Sequence, residues 1–94
     1  MNSQDQLDLS ELRNITDSLD TVACCLVVID DLNGFYNCED MFEEADAALD
    51  SFVLNLRVDA NNEISDEVAQ AGIKCIVLRA EVSDALADIR IELT

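Results

Sequence analysis

The sequence predicts an all-α fold, an antiparallel three-helix bundle, and three observations carry that expectation. Apolar residues recur at steps of three and four through three long segments. Turn signals, Asn33-Gly34 and Asn61-Asn62, fall between those segments. Each segment also opens on residues that suit a helix N-terminus. Helices of about 20 to 27 residues with short connections pack up-down-up. The whole chain, residues 1–94, reads as a single domain near the small end of what folds alone.

The first helix is expected to follow Asp8 as cap, with Glu11 completing a capping box and Leu7 stapling to Leu12. Leu12, Ile15, Leu19, Val22, Leu26 and Ile29 then mark one face and carry the helix to about Leu32. The second is expected to open at Asn37, with Tyr36 and Met41 placed as a staple. Its inward stripe reads Met41, Ala45, Ala48 and Phe52, broadened by Leu49, Val53 and Leu56. The third follows Ser65 as cap, with Asp66 and Glu67 in the first turn, where the helix dipole favours them. Its stripe is Val68, Ala71, Cys75, Leu78, Val82, Ala85 and Ile89.

A small α/β fold is the alternative. Phe52, Leu54, Leu56 and Val58 alternate in twos, as do Ile89, Ile91 and Leu93, and VACCLVVI is rich in β-branched residues. The long helical stripes decide for the bundle.

Composition excludes several classes of function. Twenty-one carboxylates against five cations give a formal charge of -16, which repels nucleic acid and anionic membrane and points to a basic partner. There is no histidine, and so neither the commonest general base nor the commonest zinc ligand. The longest apolar run, Val22 to Ile29, falls far below the roughly 18 residues that a membrane span needs. The opening MNSQDQLDLS is polar and acidic, unlike a secretory signal, so a cytoplasmic protein with reduced thiols is expected.

Metal and catalytic motifs are weak. Cys24, Cys25, Cys38 and Cys75 include no C-x-x-C, and the adjacent pair would point about 100° apart on a helix. IDDLNGFYNCED imitates part of an EF-hand loop, with Asp31, Asn33 and Gly34 at the third, fifth and sixth positions. Ile29 at the first position and Asp40 at the twelfth break the pattern. No phosphate loop, nucleophile-base pair or nucleotide fingerprint occurs. The expectation is a protein without cofactor, metal or enzymatic activity.

The carboxylates themselves are patterned. Glu39, Glu43, Asp46 and Asp50 step by four, three and four, placing them on one face of the second helix, opposite its expected stripe. Glu81, Asp84, Asp88 and Glu92 form a similar row on the third, along an edge of its stripe. Each row is about 16 Å long, a charge every 5.5 Å or so. Duplex DNA carries one per about 1.7 Å, a density that the rows approach only if they share a surface. Asp30, Asp31, Asp88 and Glu92 are expected near helix C-terminal ends, where negative charge is disfavoured by about 0.3–1 kcal/mol each. Arg57 and Arg90, also near helix ends, obey the dipole rule. The bland reading is that the carboxylates simply solvate outer helical faces.

In size, charge, lack of catalytic groups and the two carboxylate rows, the chain resembles the small acidic DNA mimics of phages and mobile elements, anti-CRISPR and anti-restriction proteins among them. The resemblance implies an inhibitor that occupies the Lys/Arg groove of a nucleic-acid-binding host complex, in a bacterial cytoplasm if phage-encoded. The eight row carboxylates would then stand in for phosphates. A different class of function competes with it. A helical interaction module of antitoxin, immunity or adaptor type would act through apolar surface, using the surplus of Val27, Val28, Ile73, Ile76 and Val77. A homodimer is compatible with both.

Overall fold

A computed structural model of the chain describes residues 3–58 and 65–93. It is an all-α, antiparallel bundle of three helices, α1 (Ser3–Leu26), α2 (Leu32–Val58) and α3 (Asp66–Leu93). No strand occurs among the described residues, and no helix there is long and apolar enough to cross a membrane. The Asn61-Asn62 turn signal and the side chains of Leu56, Arg57 and Val58 lie outside the described residues.

Both boundaries of α1 differ from expectation. The helix begins at Ser3, so Asp8 lies inside it, and Leu7 is exposed rather than stapled to Leu12. Nothing in SQDQL breaks a helix, and Asp5 in the first turn complements the dipole. The helix ends at Leu26, not near Leu32. Val27, Val28 and Ile29 are three β-branched residues in a row, which weakens propagation. The Val28 N–H donates to the Cys25 carbonyl at 3.1 Å, tightening the last turn. Ile29 still packs against the core, through the turn rather than the helix.

Asp31 governs the start of α2. Its Oδ1 accepts the Gly34 N–H at 2.8 Å, and its carbonyl accepts the Phe35 N–H at 3.2 Å. Asp31 is therefore the N-cap, and Asn33-Gly34 forms the first turn of the helix instead of a break between helices. Asn37 sits inside α2, and Tyr36 is half-exposed. The earlier start brings Phe35 inward and sets the stripe as Phe35, Cys38, Phe42, Ala45, Leu49 and Phe52. Ala48, expected inside, is exposed. Burying Leu49 in preference to an alanine gains about 2 kcal/mol of transfer free energy, enough to settle the rotation.

The start of α3 agrees with expectation. Ser65 Oγ accepts the Val68 N–H at 3.3 Å and its carbonyl accepts the Ala69 N–H at 3.0 Å.

The molecule is a narrow rod, 47 × 20 × 16 Å, and its core is two clusters stacked along the axis. One gathers Leu12, Ile15, Leu19, Leu49, Phe52 and Cys75; the other gathers Val22, Leu26, Phe35, Cys38, Val82 and Leu86. Phe42 and Leu78 touch both and join them. Cys75 Sγ lies 2.9 Å from Thr16 Oγ1 and 3.4 Å from the Leu12 carbonyl, which ties α3 to α1. As α1 and α3 run parallel, their C-terminal ends and the start of α2 share one end of the rod.

Candidate functional site

The corrected rotation of α2 relocates its acidic row. Glu39, Glu43, Asp46 and Asp50 lie about 100° round from the centre of the buried stripe, on its flank and not opposite it. Glu39 and Asp46 are accordingly half-buried, while Glu43 and Asp50 are exposed. The flank faces α3. Arg79 Nη1 lies 2.9 Å from Asp50 Oδ1 and 3.3 Å from Asp46 Oδ1, and Arg90 Nη1 is 3.9 Å from Glu39 Oε2. Three of the four carboxylates thus have a cation across the α2–α3 seam. The sequence shows nothing local that pairs Arg79 with Asp50, since 29 positions separate them.

The row on α3 is placed differently. Glu81 follows Arg79 by two positions, about 200° round the helix, so α3 turns its arginines to α2 and its carboxylates toward the α1 side. Glu81, Asp84, Asp88 and Glu92 are all exposed, and none has an ion pair among the described residues. The two rows therefore flank α3 on opposite sides, and Arg79 and Arg90 stand between them. One continuous anionic strip does not form from these eight residues.

Two of the four carboxylates expected at unfavourable helix ends also change meaning. Asp31 caps α2 and Asp30 precedes it, both beside the positive end of a helix dipole. Asp88 and Glu92 remain near the C-terminal end of α3, with Arg90 in the last turn.

Apolar surface is the second component. α3 buries Val68, Cys75, Val82 and Leu86, yet on the nearly opposite side Ile73, Ile76, Val77, Ala80, Ala87 and Ile91 face outward. Ile73 is 60% exposed, Ile76 42% and Val77 51%. A helix apolar on both sides is characteristic of one with a neighbour on both sides. At the shared end, Val27 and Val28 are exposed at 84% and 77%.

Between α1 and α3 runs a groove of about 320 Å³, floored by Leu26, Leu78, Val82, Ala85 and Ile89 and edged by Val27 and Glu81. The α1–α2 groove, about 330 Å³, is edged instead by Glu11, Asn14, Ser18, Thr21 and Glu44. Only the first of these two has an exposed large apolar side chain, Val27, at its edge.

The interior offers thiols and little other chemistry. No polar or charged side chain is buried among the described residues, and no three His, Cys, Asp or Glu converge there. Burial pushes the Cys38 thiol above the usual thiol range, and the neighbouring Cys25 thiol adds to the rise through its charge and a hydrogen bond.

Comparison with protein-family models, with curated proteins and with solved structures found no match to this chain.

Proposed function

We propose that this protein is a non-enzymatic interaction module that docks a partner through the apolar surface of α3. The observation that carries the reading is the second apolar side of that helix, Ile73, Ile76, Val77 and Ile91, left in water by the bundle. Substituting polar residues there would cost the fold little, because these side chains contribute little to either core cluster. Their apolar character therefore has its use outside the monomer.

A second reading, the acidic decoy for a nucleic-acid-binding groove, is supported by the α3 row, whose carboxylates have no cation among the described residues. Its weakness is density. With the α2 row on the other flank and shared with two arginines, one row presents a charge every 5.5 Å or so, about a third the density of duplex DNA.

Affinity capture from a bacterial lysate, with wild type beside an Ile73→Ser/Ile76→Ser/Val77→Ser variant, separates the two. Under the docking reading, proteins held by the wild type persist at about 500 mM NaCl and are lost from the variant. Proteins that leave at high salt, bind the variant equally well and compete with DNA would overturn it in favour of the decoy.

A further inference from the structure

We infer that the chain also receives a basic amphipathic helix, lying along the α1–α3 groove with its apolar face on Leu26, Leu78, Val82, Ala85 and Ile89. This goes beyond the docking reading, because the groove lies on the α1 flank of α3, apart from the outward face of Ile73, Ile76, Val77 and Ile91.

The groove has the form such a helix needs. It extends from Leu78 to Ile89 along α3, about 16 Å, or three turns of a partner helix with anchors at steps of three and four. Its α3 edge is anionic. On α3, Glu81 lines the groove, and Asp88 and Glu92 follow on the same flank at steps of seven and four. On α1 the groove is edged by Ala23 and Val27, while Asp20 lines a separate surface depression with Cys24 and Val28. Lys74, two turns below Glu81, ends the acidic edge. Arg79 is turned into the α2–α3 seam, and Arg90, though largely exposed, lies on that same side of α3, 3.9 Å from Glu39. The C-terminal ends of α1 and α3 share this end of the rod, so two negative helix-dipole ends stand there against the one positive end of α2. An apolar floor beside an anionic edge complements Leu-type anchors flanked on one side by Lys or Arg.

The other occupants fit less well. A second copy would bring its own charge of -16 against the same carboxylates. Nucleic acid and anionic lipid share the groove's sign, and nucleic acid has no apolar face for its floor.

The test uses the full chain and fluorescein-labelled synthetic helices of about 18 residues, followed by anisotropy. One has a Leu face with Lys flanks, one the same face with Glu flanks, and one is a scramble of the Lys/Leu peptide. The Lys-flanked helix should bind at least about tenfold more tightly than either of the others. Glu81→Lys/Asp88→Lys should weaken it by about tenfold, and Val27→Ser severalfold. Glu43→Lys/Glu44→Lys, the same change of charge on α2, should cost less than about threefold. Circular dichroism checks that each variant folds. Equal loss from both charge reversals, or equal binding of the scramble, would reduce the interaction to unspecific attraction and overturn the inference. Tight binding of the Glu-flanked helix would end the basic partner while leaving the docking reading intact. Sedimentation showing a dimer that Val27→Ser dissociates would assign the groove to a second copy. No binding by any peptide, with the chain monomeric, would overturn the inference and leave the docking reading to its own test at Ile73, Ile76 and Val77.

Discussion

Arg79 on α3 donates a hydrogen bond to Asp50 on α2 at 2.9 Å, and the same Nη1 lies 3.3 Å from Asp46. One guanidinium thus serves two carboxylates of a row that the sequence presents as uncompensated. Arg79→Ala should destabilise the fold by about 1 kcal/mol, through lost pairing, lost stem packing and renewed repulsion between Asp46 and Asp50. The arginine is 29% exposed and Asp50 69%, so solvent screening keeps the figure low. Asp50→Asn should cost less, because Asp46 remains. Urea denaturation at about 20 and 500 mM NaCl checks both, and the Arg79 effect should shrink by roughly half at high salt.

The cap of α2 makes a second, non-additive prediction. Asp31→Ala should cost about 1 kcal/mol, and Asp31→Asn only a few tenths. Gly34→Ala would gain up to about 1 kcal/mol of helix propensity, but its Cβ would stand 3.3 Å from Asp31 Oδ1 and push against the cap. Gly34→Ala should therefore be near neutral in the wild type and stabilising in the Asp31→Ala background. Additive effects would show that the carboxylate yields without loss of its hydrogen bond. Gly72 meets nothing within 4 Å, so Gly72→Ala should stabilise by about 0.5–1 kcal/mol outright.

Self-repulsion sets a third expectation. With a formal charge of -16 and three ion pairs among the described residues, the folded chain concentrates negative charge that the unfolded chain disperses. Raising NaCl from about 20 to 300 mM should stabilise the fold by about 1–2 kcal/mol, or roughly 5–10 °C in Tm. Differential scanning calorimetry measures this, and a Tm that stays level would mean the charge is already well separated.

How legible these features were depended on whether local signals agreed. For α3 they did, since the Ser65 cap and the Val68–Ile89 stripe fix one start and one rotation. Between α1 and α2 they competed. Asn33-Gly34 is a strong turn dipeptide, and Asn37 and Asp31 are equally good caps; only burial of Phe35 selects Asp31. That choice also fixed the stripe of α2, whose apolar residues at 41, 42, 45, 48, 49 and 52 admit two rotations. The acidic rows were visible as spacings, but which flank faces which helix is a tertiary fact. Arg79 pairs with Asp50 only once the chain has reversed direction between them. The surplus on α3 was readable, because Ile73, Ile76 and Val77 fall outside a single seam whatever the packing.

The four thiols, all free, provide a test of both core clusters at once. Cys24 is exposed, Cys25 half-buried, and Cys38 and Cys75 buried, so alkylation should proceed in that order, with the last two reacting only when the bundle opens. Cys38 adds a pH dependence. Its folded thiol is held above the usual range, first by burial and then by Cys25, so between the unfolded and folded values the native state keeps a proton that the unfolded state has released. The associated stability is fully present below the ordinary thiol range and is lost as pH rises through the folded value. Urea midpoints measured from about pH 7.5 to 10.5 should fall across that window, and Cys38→Ala, though about 1–2 kcal/mol less stable at neutral pH, should show a shallower decline. Identical slopes in wild type and variant would mean that the Cys38 environment opens before the rest of the core, separating the cluster around Phe35 and Val82 from the one around Leu49 and Cys75.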